Sequence, residues 1–438
     1  MTVVSGREQF GLWTLTFLVI ANMIGAGVFT TSGFAMEGLG SPGRVVLAWV
    51  VGGVIALAGA VSYGRLARIM PESGGEYLYL SRAAHPLLGF VAGWVSLVAG
   101  FTGAIALAAT AFEGYVLPEQ HRPSWLPADA IAIMVVVAGG ISHGFRPRGG
   151  AALQNVVVVL KLGLFLGFLS LAAARLPSDV WQGGALPEAP TGIWAISAAF
   201  ATSLVWISLS YSGFNAAVYV AGEARDPRST VPRAMLVGTC IVLVLYVLLN
   251  SVFVYSPPPE RISGMPDVAA IAAEWLGGSR AATFVRVMIA FSLLTSVSSM
   301  MMAAPRVYAK MADDGLLPSF LRLRKGAPRQ AVAAQVLLAV VFILISSLRG
   351  LLSYLGLTLS LCAVCSVGCL FLPSVRRRSF HRMSYGPPLV YITCTMAAVA
   401  IMAIDDPSQL LGTAVTFAVG ILVYLAVPRS TWLRPSDR

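Results

Sequence analysis

Lys161 stands near the middle of Asn155-Val156-Val157-Val158-Val159-Leu160-Lys161-Leu162-Gly163-Leu164-Phe165, inside an apolar run long enough to cross a bilayer. A charge at the centre of such a helix costs roughly 2.5–3.5 kcal/mol on insertion scales. Snorkelling is a poor escape, because the residue is far from both ends of its run. Its ammonium needs acceptors inside the protein, and carbonyls freed by a broken helix would serve. Two roles fit a buried lysine: a proton carrier, or a fixed cation in the place of a bound sodium ion. Two other stretches offer backbone for such chemistry. Asn22-Met23-Ile24-Gly25-Ala26-Gly27 interrupts one apolar run, and Ser210-Tyr211-Ser212-Gly213-Phe214-Asn215 interrupts another. A half-helix that begins after a break presents amide N–H groups and the positive end of its dipole, which suits a carboxylate. A half-helix that ends at a break presents carbonyls, which suit an ammonium. Two facing breaks would therefore clamp a zwitterion by backbone alone and leave its side chain to a separate pocket.

These residues need membrane helices to hold them. The 438 residues are 57% hydrophobic and 11% charged, against about 25% charged in soluble domains. Mean hydropathy is +0.79. Apolar runs of about 17 or more residues predict twelve spans. They fall near 11–35, 44–68, 85–116, 128–145, 151–175, 192–223, 233–256, 279–311, 331–349, 351–374, 387–405 and 408–428. The leader Met1 to Gln9 lacks the features of a cleavable signal, so the first span is expected in the mature chain.

No linker divides the chain, which reads as one transmembrane domain over 1–438. Interrupted runs at matching places in two halves point to inverted repeats. Repeat one would cover about 11–175, repeat two about 192–374, with accessory helices at about 387–428. The predicted fold class is an all-α polytopic membrane protein, with a 5+5 inverted repeat and broken helices one and six.

Net charge is +11, and only Lys161, Lys310 and Lys325 among the basic residues are lysines. With the N-terminus in the cytoplasm, 22 basic residues lie in inner loops and tails, and 7 outside. That split predicts both termini on the cytoplasmic side of the cell's inner membrane, and the charge needs no nucleic-acid partner. Cys240, Cys362, Cys365, Cys369 and Cys394 all lie in predicted spans, so no disulfide-linked subunit is expected. Cys362, Cys365 and Cys369 share a helix face without a nearby histidine or carboxylate, which reads as packing and not as a metal site. No cofactor is implied.

Loop signatures complete the pattern. They are Pro71-Glu72-Ser73-Gly74-Gly75-Glu76-Tyr77, Gly89-Phe90-Val91-Ala92-Gly93-Trp94, Gly222-Glu223-Ala224-Arg225-Asp226-Pro227 and the run from Pro305 to Pro318. By themselves they read as turns at helix ends. In order along spans one to ten, they make the chain resemble the amino acid–polyamine–organocation superfamily, most closely its L-type and related bacterial branch. The resemblance implies that amides of Gly25, Ala26 and Gly27 bind a substrate carboxylate. It implies that carbonyls of Met23, Ile24 and the Leu209, Ser210, Tyr211, Ser212 stretch, beside Gly213, meet the ammonium. It also implies that Lys161 replaces a sodium ion bridging spans one and eight, with Ser298 or Ser299 as the span-eight partner. Departures are Ala26, where many members carry serine, and Asn215, where arginine–agmatine exchangers carry an acid. Those exchangers place a stacking tryptophan at the position of Leu209, whereas Trp206 lies three residues earlier.

The expected activity is sodium-independent secondary transport of neutral L-α-amino acids by alternating access. It would be coupled to protons or to a counter-exchanged amino acid. Neutral side chains are expected because no ionisable residue is predicted near the pocket except Glu113 at its edge. Glu223 is expected in a structural or inner-gate ion pair. A cationic amino acid or polyamine antiporter and an amino-acid-binding membrane sensor are the alternatives. No His/Glu/Asp constellation suggests an enzyme.

Overall fold

The computed structural model describes residues 9–145, 151–175, 184–186, 188–313, 329–376 and 385–426. The described residues are helical throughout, with one isolated bridge between Phe10 and Ala224 and no strand. The first apolar run is two helices, α1 (Leu12–Met23) and α2 (Gly27–Leu39), bent by 41° at the break. Then come α3 (Pro42–Ile69), α4 (Gly75–Ala83), α5 (Pro86–Val95) and α6 (Ala104–Val116), the last two joined by a π-helical stretch at Ser96–Gly103. The remaining first-half helices are α7 (Ala130–Phe145) and α8 (Ala151–Ala174).

The second half opens with α9 (Ile193–Tyr211), followed after a break by a 3₁₀ segment, Ala216–Glu223. It continues with α10 (Pro227–Tyr255), a short α11 (Pro259–Ile262), α12 (Val268–Asp313), α13 (Arg329–Ile345), α14 (Leu348–Gly368) and a short α15 (Pro373–Arg376). The last two helices are α16 (Gly386–Asp405) and α17 (Leu411–Ala426).

Among the described residues, nine helices are long and apolar enough to cross a membrane, and a tenth span is added by the bent α1–α2 pair. The apolar stretches of α7 and α13 are shorter. Each expected span falls on a helix, with two additions. Helix α12 runs from Val268 through a kink at Gly277 and Gly278, Gly278 with φ +69°, and the span expected from 279 begins just after that kink. The turn expected after α3 contains a helix of its own, α4, packed beside α5. All of the leader but Gln9, and much of the basic loop sequence, including Arg146, Arg148, Lys325 and Arg377, lie outside the described residues, as does the end of the Pro305 to Pro318 signature.

Helix α10 packs along α3 and against α1, and α9 packs against α2, α3, α14 and α16. This arrangement brings both breaks to the middle of the molecule. The residue ahead of α1 is tied to the far end of the 216–223 segment: Phe10 N–H donates to Glu223 O at 2.9 Å, and Arg225 N–H donates to Phe10 O at 3.0 Å.

Candidate functional site

The first break begins where the α-helical ladder stops. Ile24 N–H still reaches Ile20 O at 3.0 Å, but Ile24 turns extended, with ψ 90°. The second half restarts with Phe29 N–H on Ala26 O at 3.0 Å. Between these points the N–H groups of Gly25, Ala26 and Gly27 donate to nothing among the described residues, and all three residues line one central cavity. One carbonyl of this break is used and the other has a donor within reach. Met23 O accepts the Tyr246 hydroxyl at 2.6 Å, and Ile24 O lies 3.3 Å from the Ser296 hydroxyl, whose one hydrogen also has Ser292 O at 2.9 Å as an acceptor.

The second break has the opposite polarity. Helix α9 ends at Tyr211, and Ser212 N–H closes on Leu209 O at 3.0 Å. Gly213 then adopts φ +100°, a conformation that side chains disfavour. The carbonyls of Ser210, Tyr211 and Ser212 accept no hydrogen bond of normal geometry among the described residues, and these residues line the same cavity.

The two breaks abut. A Cβ on Gly213 would sit 2.8 Å from the carbonyl carbon and oxygen of Asn22. A Cβ on Gly27 would collide with the Ser210 hydroxyl. Gly25 differs: a Cβ there would meet nothing within 4 Å, because its open side faces the cavity. The cavity has a volume of about 170 Å³. The π-helical stretch contributes Ser96, Gly100 and Phe101 to its wall, and such wide turns recur at functional sites.

A chain of hydrogen bonds holds both breaks. Tyr211 OH donates to Trp49 O at 3.2 Å, and the Trp49 indole donates to Ser32 Oγ at 2.8 Å. Ser32 donates to Asn250 Oδ1, and the Asn250 amide donates to Tyr246 O at 2.8 Å. Tyr246 closes the circuit on Met23. Rotating any of these side chains away leaves a buried polar group unpaired, at roughly 1–3 kcal/mol.

Lys161 is buried in α8, as its position required. Its ammonium donates to Ser292 O at 3.0 Å and to Ser296 Oγ at 3.4 Å. Ser296 in turn reaches Ile24 O, so the lysine touches the first break at one remove, through a hydroxyl. The contact falls on Ser292 and Ser296 rather than on the expected Ser298 or Ser299. The physical reason is helix phase. Ser292 and Ser296 are one turn apart and buried, whereas Ser299 is exposed and Ser298 half-buried.

Glu113 was expected at the pocket's edge and is elsewhere. Its carboxylate pairs with Arg122 at 2.5 Å and accepts the N–H groups of Asp129 and Ala132 at 3.0 and 2.8 Å. It caps the start of α7, where a negative charge also meets the positive helix end. The acidic group that does line the cavity is Glu76 of α4. Its signal was present only as a carboxylate inside a glycine-rich turn, and nothing in that pattern announced burial. Glu223, expected in an ion pair, contributes its backbone carbonyl to Phe10 and has an exposed side chain.

At the end away from the N-terminus, Phe34 packs edge-on against Trp206, ring centroids 6.2 Å apart. The Arg349 guanidinium lies 4.7 Å from the Phe34 centroid and 5.8 Å from that of Trp206, and pairs with Glu37. Trp206 donates to Ser353 Oγ at 2.8 Å. This aromatic and ionic layer roofs the site by joining α2, α9 and α14.

A helical chain wrapped around a small central cavity, with a broken first span offering unpaired amides to it, has the form of a membrane transport protein. Residues 10–427 match the family model described as amino acid permease, and the chain belongs to that family, within the amino acid–polyamine–organocation superfamily. It is an amino acid transporter and not an enzyme.

Among its relatives, the Asc-type amino acid transporter 1 of Mus musculus is 24% identical over 430 residues, covering 96% of this chain and 79% of that protein. The large neutral amino acids transporter small subunit 2 of Mus musculus is 24% identical, over 80% of this chain and 67% of its own. The cystine/glutamate transporter of Pongo abelii is 26% identical, over 95% and 85%.

Proposed function

We propose that the protein is a sodium-independent secondary transporter of neutral L-α-amino acids, working by alternating access. It exchanges one amino acid for another or carries a proton with its substrate. The observation behind this reading is the opposed polarity of the two abutting breaks. Unpaired amides at Gly25, Ala26 and Gly27 suit a carboxylate, and unpaired carbonyls at Ser210, Tyr211 and Ser212 suit an ammonium. Those groups sit on adjacent atoms of an α-amino acid. Met23 and Ile24 carbonyls, each with a hydroxyl already within reach, have a lesser share in holding the ammonium. Lys161 is the fixed cation between α8 and α12, in the place of sodium.

The same reading gives the chain twelve crossings, with α7 and α13 included. Spans one to five and six to ten form the inverted repeats, and α16 and α17 stand outside them. Both termini are cytoplasmic in the inner membrane, as the 22 to 7 split of basic residues favours. Neutral side chains are supported by the similarity to a large neutral amino acids transporter and by the bonding of Glu76. Its carboxylate is engaged by three donors from the protein and so is a poor partner for a cationic substrate.

The test is counterflow of a panel of labelled amino acids in proteoliposomes, with and without sodium and proton gradients. Exchange of neutral amino acids, unmoved by sodium, is expected. Binding without any exchange would make the protein a sensor instead, and strong sodium stimulation would remove Lys161 from the cation's place.

A further inference from the structure

Glu76 is the one carboxylate lining the cavity among the described residues, and it is only 6% exposed. It sits at the end of the cavity nearer the N-terminus and gathers donors from two other elements. Tyr63 of α3 donates its hydroxyl to Oε1 at 2.9 Å. Asn215, two residues past Gly213, donates its amide to the same oxygen. Tyr219 of the 216–223 segment donates its hydroxyl to Oε2. One carboxylate thus ties α4 to α3 and to the segment that follows the second break.

No lysine, arginine or histidine pairs with it among the described residues. The titratable groups in range are Tyr63, Tyr219, Tyr79 on α4 itself, Cys362 from α14 and Tyr391 from α16, none of which carries positive charge. Glu72, in the turn before α4, is spent on Arg82 at 2.7 Å near the surface. A buried carboxylate without a countercharge is held by its hydrogen bonds or else takes a proton. Beside the cluster, Tyr79 has its ring 6.2 Å from that of Tyr63 and a buried hydroxyl with no partner. It offers a further acceptor, one turn along α4, for a carboxyl that has gained a hydrogen to donate.

We propose that Glu76 is a proton site at the inner end of the substrate cavity, and that a proton bound there releases the 216–223 segment from α3 and α4. Charged, Glu76 accepts three bonds and holds the inner end shut. Protonated, it turns one oxygen into a donor, and its remaining bonds lose their charge assistance. The inference rests on the proposed orientation only for calling this end cytoplasmic.

The test reads accessibility, so it does not depend on the substrate. Cys362 is buried and lines the cavity. In a protein with Cys240, Cys365, Cys369 and Cys394 replaced by alanine, Cys362 is labelled by a membrane-impermeant maleimide from the side of the N-terminus. Each rate is divided by that of a small free thiol at the same pH, and because loss of the Glu76 charge also acts on the nearby Cys362 thiol, Glu76→Gln is read together with Tyr219→Phe, which keeps that charge. Labelling should be slow near neutral pH and about tenfold faster in acid, the factor expected when one charge-assisted hydrogen bond is lost. Glu76→Gln should label fast at both, and Tyr219→Phe should speed labelling at neutral pH. A Glu76→Gln protein that labels slowly at neutral pH, or that keeps the acid acceleration, overturns the proposal. If that variant does not reach the membrane, Tyr219→Phe and Tyr63→Phe decide, and no acceleration in either has the same consequence. Failed counterflow beside the expected labelling would overturn the transport reading and leave the proton site standing.

Discussion

The two helix breaks are alike in sequence and opposite in the backbone groups they leave over. Both place glycine and small polar residues in an apolar run, and both stop the α-helical ladder in mid-molecule. At the first break Tyr246 takes the Met23 carbonyl, the Ser296 hydroxyl is within reach of the Ile24 carbonyl, and the amides are left over. At the second break the carbonyls of Ser210, Tyr211 and Ser212 are left over, and Gly213 is spent on a tight contact with Asn22. A break does not by itself choose its ligand. Neighbouring hydroxyls choose, by occupying one kind of backbone group and leaving the other.

The largest effect is expected where the difference is sharpest. Gly25→Val should abolish amino acid binding and uptake while leaving folding intact, because the added side chain enters open cavity and not packed protein. Uptake near the unmodified level, measured in proteoliposomes beside a melting curve, would break the view of the first break as the carboxylate side.

Gly213→Ala should act on the junction instead. It strains a φ of +100° and pushes a methyl against the Asn22 carbonyl, at roughly 1–3 kcal/mol, so the melting temperature should fall together with transport. An unchanged melting temperature would mean that the breaks need not touch.

Lys161→Ala comes next. It removes a charged donor from Ser292 and Ser296, and one such bond is worth roughly 1.5–3 kcal/mol, so exchange should slow about tenfold or more. Full activity in that variant would detach the lysine from the first break. Tyr246→Phe is the mildest and the most discriminating. It returns the Met23 carbonyl to the cavity at a cost of about 1 kcal/mol, and should change substrate affinity by severalfold. Calorimetry with a carboxylate-free amine and an amine-free acid would show whether the change follows the ammonium, as the comparison requires.

Much of this site was legible because membranes make local anomalies expensive. Glycine pairs inside apolar runs and a lysine at a span centre stand out against a lipid background, and each led to a group that lines or braces the cavity. The parts that were not legible depend on phase and burial. Ser292 and Ser296, not Ser298 or Ser299, face Lys161 because of how α8 and α12 are rotated against each other, which no single helix records. Glu76 and Glu113 look equally polar in sequence. One sits in a glycine-rich turn that folds inward as α4, and the other caps α7 beside Arg122.

The two backbone bonds that join Phe10 to Glu223 and Arg225 make a mechanical link. They fasten the start of α1 to the far end of the segment that follows the second break, so these pieces form one lever with a shared fulcrum at the cavity. A tilt of α1 would therefore be passed to that segment and to the end of the cavity it lines. A bulky fusion placed just ahead of Phe10 would load this lever, whereas the same fusion behind α17 would leave it at rest.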